Sequence, residues 1–536
     1  MLPILTRSDM TARKFHPTFQ QKGCSEMSRL LCGVAFLLAI LLVSPAHAAT
    51  ACEDLAKISL PSTTITLAQN IAAGAYTPPV VGGQAGGGAR GGNQFANLPA
   101  FCRIQATLKP SSDSDIKMEL WMPVAANWNG KFRGTGNGGL GGGAAVNAGP
   151  LANGVRLGYA TAGNNTGHEG DSSYAIAHPE KIKDFGYRAA HEMVVASKAL
   201  IKAYYDAPLK YSVIAEGGGG TIAALSSAQR YPDDYDVIAV TGMSSYLSRH
   251  TFGQMWYWYA THDDERSFLS PKELSVLHEV ALEQCDHKDG LKDGIISDPE
   301  HCKVDVSGLV AQSSLTKFQA DAAQKIYAGP TNPRTKEEIY SPMYPGSELG
   351  WTQLAGGAQP LGIPVEFFKH FVFKDPKWDY KTRRVNFDSD LALADKLDVA
   401  PVNAVDPDLR KFFARGGKLM LVDGWSDTAV PPKVAMNYYK AVVAKTGAKQ
   451  VKESMRFFMV PGMGHGPGTS GEENFNYDAL NVIEQWKQTG NAPEELMFDH
   501  YKNEKMVGRR LVCQYPKVST YKGSGNTEDP ASFVCK

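Results

Sequence analysis

Apolar positions along the chain fall into two kinds of run. Short, nearly continuous ones have the length and composition of buried strands: "IKMELWMPV" from Ile116, "YSVIA" from Tyr211, "DVIAVTG" from Asp236, "KLMLVDG" from Lys418 and "MRFFMVPG" from Met455. A further strand fits "RLGYATAGNN" from Arg156. Longer stretches repeat apolar residues every three or four positions and predict helices, at "DFGYRAAHEMVVASKALIKAYYD" from Asp184 and "GTIAALSSAQRYP" from Gly220. Strands alternating with helices predict an α/β fold, a mostly parallel sheet covered on both faces.

From about residue 251 to 394 the alternation gives way to aromatic, loop-rich sequence, including "FGQMWYWYATHDD" and "VEFFKHFVFKDPKWDY". Regular α/β pattern then resumes. The middle stretch therefore reads as an insertion over the sheet, a lid. The expected organisation is a core over 49–250, the lid over 251–394 and the rest of the core over 395–536. A chain of 536 residues is longer than one simple core needs, which agrees with an insertion. Lys plus Arg and Asp plus Glu both number 55, so the chain has no basic surplus with which to bind nucleic acid.

Residues 1–48 have the features of a secretory signal. Arg29 precedes an apolar run from Leu30 to Val43, followed by Pro45 and a small-residue "AHA" that ends at Ala48. The run is about 14 residues, whereas a membrane span needs roughly 20, so a membrane anchor is the weaker alternative. Cleavage would leave a periplasmic or secreted protein with no membrane segment. It would also remove Cys24 and Cys32 and leave six of the eight cysteines, an even number suited to disulfides. Proximity in sequence suggests Cys52–Cys102, Cys285–Cys302 and Cys513–Cys535. Nothing in the sequence specifies an oligomeric state.

Candidate chemistry centres on "VIAEGGGGTIAALSSAQRYPDDYD" from Val213, where a strand enters four glycines and leaves as a helix. An α/β-hydrolase places its nucleophile elbow, Gly-x-Ser-x-Gly, at such a turn. Further along, Asp427 in "GWSDTAVPP" and His465 in "VPGMGHG" each follow an apolar strand. The order nucleophile, acid, histidine is that of the α/β-hydrolase fold. In such a set the histidine takes the proton of the attacking group, and the carboxylate holds its tautomer.

These features, with "WNGKFRGTGNGGLGGG", "NNTGHEG", "HPEKIKDFGYRAAHEM", "SSAQRYPDDYD", "CDHKDGLKDGIISDP" and "YKGSGNTEDPASFVC", resemble the tannase and feruloyl esterase family, which includes mono(2-hydroxyethyl) terephthalate hydrolase. The resemblance covers nearly all of the chain after residue 48. It implies an α/β-hydrolase domain, a lid with a calcium site, and small-molecule esters of aromatic acids as substrates. Asp286, Asp289 and Asp293, with the carbonyls of Leu291 and Ile295, offer the oxygen ligands that calcium prefers. The resemblance also places an oxyanion-binding amide at Gly138 or Gly139 and a second at Gly219.

The elbow departs from the family pattern. Relatives read roughly "GCSxGG" there, which puts the serine at Gly218, its preceding cysteine at Gly217 and the first glycine at Glu216. The family's cysteine after the histidine corresponds to Gly466, so the bridge between nucleophile and histidine is lost with the serine. Thr221, Ser226, Ser227, Ser244 and Ser245 are the other hydroxyls near the elbow. Glu216, in a partly dry cleft, would have a raised pKa and could act as general acid or base. Three readings stay open: ester hydrolysis by water that His465 activates with Asp427 or Glu216, non-hydrolytic acid–base chemistry of lyase or isomerase type, and binding of an aromatic ligand without turnover. Lid aromatics Trp256, Trp258, Phe367, Phe368 and Phe371 are candidates either to contact a ring or to form the lid's own core.

Overall fold

Nine strands form the central sheet of the protein, here a computed structural model described for residues 49–78, 95–140, 142–143, 146–306, 308–311, 315–397, 400–466 and 473–536. The signal expected over residues 1–48 lies outside the described residues. The strands are β1 (Thr63–Ile71), β2 (Phe101–Leu108), β3 (Ile116–Pro123), β4 (Lys131–Gly134), β5 (Ala160–Asn164), β6 (Tyr211–Gly217), β7 (Val237–Thr241), β8 (Lys418–Gly424) and β9 (Met455–Val460). Their spatial order is β1-β2-β3-β5-β4-β6-β7-β8-β9. From β5 to β9 every pairing is parallel. The pairings β1/β2, β2/β3 and β3/β5 are antiparallel. The expected parallel sheet is therefore present with an antiparallel wing.

Successive side chains of a strand point to opposite faces, and here both faces are buried. Leu419, Leu421 and Phe457 join one cluster with Ile222 and Leu225 of the helix Gly220–Arg230 and Ala435 and Met436 of the helix Lys433–Thr446. Met420, Val422 and Phe458 join the other, under Ile483 and Trp486 of the helix Ala479–Thr489. This two-sided burial is why β8 and β9 read as continuous apolar runs.

Between β7 and β8 the chain leaves the sheet and builds a smaller cluster of its own, with Tyr257, Leu269, Leu277, Ala323 and Trp351 at its centre. Residues 49–536 nonetheless form one compact unit. The expected boundaries at 250/251 and 394/395 both fall inside helices, Leu247–His262 and Ser389–Lys396. Phe367, Phe368 and Phe371 are fully buried and belong to the main cluster, with Phe367 stacked on Phe371 at 5.2 Å. These three are packing residues.

Toward the C-terminus lies a three-stranded antiparallel sheet of β10 (Glu473–Asn476), β11 (Glu495–Lys502) and β12 (Lys505–Cys513). A short pair, β13 (Ser519–Tyr521) and β14 (Phe533–Cys535), follows it. The three expected disulfides are formed: Cys52–Cys102, Cys285–Cys302 and Cys513–Cys535. Among the described residues, no helix is long and apolar enough to cross a membrane.

Candidate active site

β6 ends at Gly217 and a helix begins at Gly220, so Gly218 stands at the tip of a tight turn with φ +54°. A side chain in that left-handed region costs about 1–2 kcal/mol, a penalty glycine escapes. Three hydrogen bonds fix the turn. The Gly218 N–H donates to the Thr241 carbonyl at 3.1 Å, and the Gly218 carbonyl accepts from the Thr221 N–H at 3.0 Å and from the Thr221 hydroxyl at 2.6 Å. A β-carbon added to Gly218 would stand 2.9 Å from Nε2 of His465. The imidazole thus reaches into the space that a nucleophile's side chain would fill.

Asp427 and His465 come together as their order in the chain implies. The Asp427 side chain is fully buried; its Oδ2 lies 2.9 Å from His465 Nδ1, and its Oδ1 accepts the Val430 N–H at 2.8 Å. With Nδ1–H donating to the carboxylate, the Nε2 lone pair faces Gly218. Burial alone would pull the imidazole's pKa down. The charge and hydrogen bond of Asp427 outweigh it and hold His465 above its ordinary range.

The glycine segment after β4 lies against the elbow. A β-carbon on Gly219 would meet the Gly139 nitrogen at 2.8 Å and Gly138 Cα at 2.9 Å, so glycine at 219 permits this close approach. Among the described residues, the Gly139 and Gly219 amides have no backbone acceptor. Gly219 also opens the helix Gly220–Arg230, whose N-terminal end favours negative charge. The arrangement suits a developing oxyanion.

Glu216 and His465 line one cleft of about 660 Å³, together with Arg133, Gly217, Thr241 and Tyr477. The Glu216 carboxyl lies against the backbone of Gly220. Burial pushes it up to about 7, while Arg133 and the Gly136 amide pull the other way. No hydrogen bond joins Glu216 to His465 among the described residues. Of the neighbouring hydroxyls, those of Thr221, Ser226, Ser227 and Ser245 are engaged in hydrogen bonds. Ser226 and Ser227 donate to the Ala223 carbonyl, and Ser245 donates to Thr221 Oγ1 at 3.0 Å. The Ser244 hydroxyl is buried and has no hydrogen-bond partner among the described residues; its N–H donates to Thr221 Oγ1 at 3.2 Å.

The acidic loop closed by Cys285–Cys302 holds Asp286 and Asp289 buried. Asp286 accepts the Gly294 N–H at 3.0 Å, Asp289 the Leu291 N–H at 3.0 Å, and Asp293 the Ile295 N–H at 3.1 Å. Burial, reinforced by mutual repulsion with Asp293, raises Asp286 and Asp289 above the usual carboxylate range. The cation close at hand is Arg510, 2.7 Å from Asp293. Buried carboxylates that repel one another, with the Leu291 and Ile295 carbonyls in the same loop, fit the donor set of a hard cation. A second group, Asp171, Glu366 and His370, brings its ligand-type atoms within 4.8 Å of one another. The Ser172 hydroxyl already bonds both Glu366 and His370, at 3.0 and 2.8 Å, and the group reads as a hydrogen-bonded tie between the inserted segment and the core.

Two residues, Gly242 and Asp423, and the bonding role of Thr221 are not evident from the sequence. Thr221 locks the Gly218 carbonyl, Gly242 packs beneath the His465 ring, and Asp423 stands beside the dyad. Asp423 left a signal, an acidic residue inside the apolar strand "KLMLVDG".

The profile of "Tannase and feruloyl esterase" matches residues 102–536. A protein named as an uncharacterised esterase from Xanthomonas campestris pv. campestris is 35% identical over 546 residues, covering 92% of this chain and 92% of its own. A probable feruloyl esterase B-1 of Neosartorya fischeri is 30% identical over 498 residues, covering 88% of this chain and 92% of its own. Among solved structures, an esterase from Aspergillus oryzae superposes with a TM-score of 0.79 at 28% identity, covering 90% of this chain and 99% of that one. A parallel sheet carrying a glycine elbow, an Asp–His dyad in hydrolase order and a match over most of the chain converge on one assignment: the chain is an α/β-hydrolase-fold member of the tannase and feruloyl esterase family.

Proposed function

We propose that the protein hydrolyses an ester of an aromatic or phenolic acid without a serine nucleophile, by direct attack of water that His465 activates. The observation that carries this reading is the 2.9 Å between His465 Nε2 and the β-carbon position at Gly218. A base stands where the nucleophile would, held by Asp427 at 2.9 Å. Water attacks the ester carbon as Nε2 takes its proton. The carbonyl oxygen becomes an oxyanion facing the Gly139 and Gly219 amides. Collapse breaks the ester C–O bond, and the imidazolium returns its proton to the leaving alkoxide. Asp427 stabilises the imidazolium throughout.

Residues 251–394 act as a lid over the carboxyl ends of the strands. Asp286, Asp289 and Asp293, with the Leu291 and Ile295 carbonyls, would hold a calcium ion whose role is to stiffen that lid. The protein works outside the cytoplasm, periplasmic or secreted, in keeping with its leader-like segment and three disulfides. The test is release of the acid from an alkyl hydroxycinnamate by the wild type, with kcat lowered by on the order of 10²-fold or more in a folded His465→Ala variant. No turnover of any aromatic ester by the wild type would overturn the reading.

A second reading, non-hydrolytic acid–base chemistry of lyase or isomerase type, draws on one observation. The Glu216 carboxyl, at about 7, lines the same cleft as His465. Turnover of a non-ester aromatic compound that disappears in Glu216→Gln would favour it.

A further inference from the structure

Asp423 is the residue before the end of β8, four positions before Asp427, and it is 2% exposed. Its Oδ1 accepts the Met243 N–H at 3.0 Å, and its Oδ2 has no hydrogen-bond partner among the described residues. A buried carboxylate with a bare oxygen is costly, so this setting favours the neutral acid. The groups facing it come from five segments. Asp427 in the next turn opposes a second negative charge. The buried hydroxyls of Tyr340 in the inserted segment and Tyr477 before the helix Ala479–Thr489 are also near, and a charge on Asp423 opposes their ionisation. His465 and the amides of Met243 and Gly242 favour ionisation. Burial first and Asp427 second prevail, and the carboxyl is pushed up to about 8. His250, itself buried, faces the dyad and is held neutral with its pKa near 4 by burial.

The turn that Asp423 grips is the floor of the site. A β-carbon on Gly242 would lie 3.1 Å from both Cε1 and Nδ1 of His465. One residue beyond Met243, the Ser244 N–H donates to Thr221 Oγ1, which in turn donates to the Gly218 carbonyl. The support of the imidazole and the tip of the elbow are thus joined through one turn.

We propose that Asp423 is a positioning residue for His465: its carboxyl clamps the Gly242–Met243 turn beneath the imidazole that Asp427 orients from the other side. The proposal rests on His465 and Asp427 being the working pair. It predicts that Asp423 and His465 titrate as coupled groups. The test is a histidine ¹⁵N NMR titration of the full-length protein, with His465 assigned from the spectrum of His465→Gln. The wild type should show a second deflection of the His465 resonances near pH 8, and Asp423→Asn should titrate in one step. Superimposable curves would overturn the proposal.

A second readout is kinetic, on an aromatic ester. Asp423→Ala should lower kcat by on the order of 10²-fold with little change in KM, as expected when a base is misplaced by a fraction of an ångström to an ångström. Asp423→Asn, whose amide oxygen still accepts the Met243 N–H, should recover most of that loss. A folded Asp423→Asn no better than Asp423→Ala would also overturn it. The NMR experiment needs no turnover, so a coupled titration in a protein without esterase activity would uphold this proposal and reject the proposed function.

Discussion

Replacing Gly218 with serine asks whether the elbow is intact apart from its missing side chain. Two costs follow from the structure. At φ +54° a non-glycine residue pays about 1–2 kcal/mol. The new β-carbon would lie 2.9 Å from His465 Nε2, so the ring must retreat by a few tenths of an ångström. The His465 side chain is 33% exposed, which leaves it room to do so. The total is about 1–3 kcal/mol, within the range of strain that active-site turns commonly hold. In return the hydroxyl would come within hydrogen-bond reach of a histidine already oriented by Asp427, the arrangement that activates a serine. The assay is covalent labelling by a fluorophosphonate, read by intact-protein mass spectrometry. Gly218→Ser should gain one label per chain, the wild type none, and Gly218→Ser/His465→Ala none. A folded Gly218→Ser that stays unlabelled would refute the claim that the elbow is preformed, and a labelled wild type would show that another residue is the nucleophile.

Three further outcomes follow from the same geometry. Glu216 is raised from 4.5 to about 7, so the folded state keeps a proton that the unfolded state loses between those values. Its stabilising contribution is full below pH 4.5 and lost as pH rises to 7, at up to about 1.4 kcal/mol per pH unit. Urea melts of Glu216→Gln should show a flatter dependence across that window, and an unchanged slope would mean that Glu216 titrates normally. Opening the Cys285–Cys302 bridge, whose partners are 17 residues apart, should cost about 3 kcal/mol in the segment it closes. The double serine variant should therefore melt earlier in calorimetry, and an unaltered melt would show that the loop holds itself. Chelator-treated protein should gain about 2–3 kcal/mol at calcium concentrations near 100 times its Kd, and Asp289→Asn should lose most of the gain. Identical melting with and without calcium would remove the ion from the account.

What could be read from the sequence was set by burial. β6 to β9 are covered on both faces, and their runs of Val, Ile, Leu, Met and Phe announce themselves. β1, "TTITLAQNI", is half-exposed, its polar residues do not alternate regularly across an irregularity between Ile65 and Leu67, and it owes its place to its pairing with β2. β10 likewise depends on β11, which lies beyond the helix Ala479–Thr489, while β11 and β12 form a local hairpin whose strands are partly exposed. The chain order of Gly218, Asp427 and His465 pointed to the site because catalytic loops follow strands in this fold. The distance that defines the chemistry, from Nε2 to the empty side-chain position, depends on how two distant turns meet. Asp423 and Gly242 were missed for the same reason: each acts through packing against a residue from another strand. The lid aromatics show the reverse case. Phe367, Phe368 and Phe371 are as suited to a ligand as to a core, and only their complete burial among one another decides for the core.

The central claim is that water attacks the ester directly. Single-turnover hydrolysis of an aromatic ester in ¹⁸O-labelled water, quenched over time, tests it when both the released acid and the intact protein are weighed by mass spectrometry. With direct attack by water, the label appears in the acid while the protein keeps its mass at every time point. A transient acyl adduct on the protein, or ¹⁸O retained in a carboxyl such as that of Glu216 or Asp423, would contradict it.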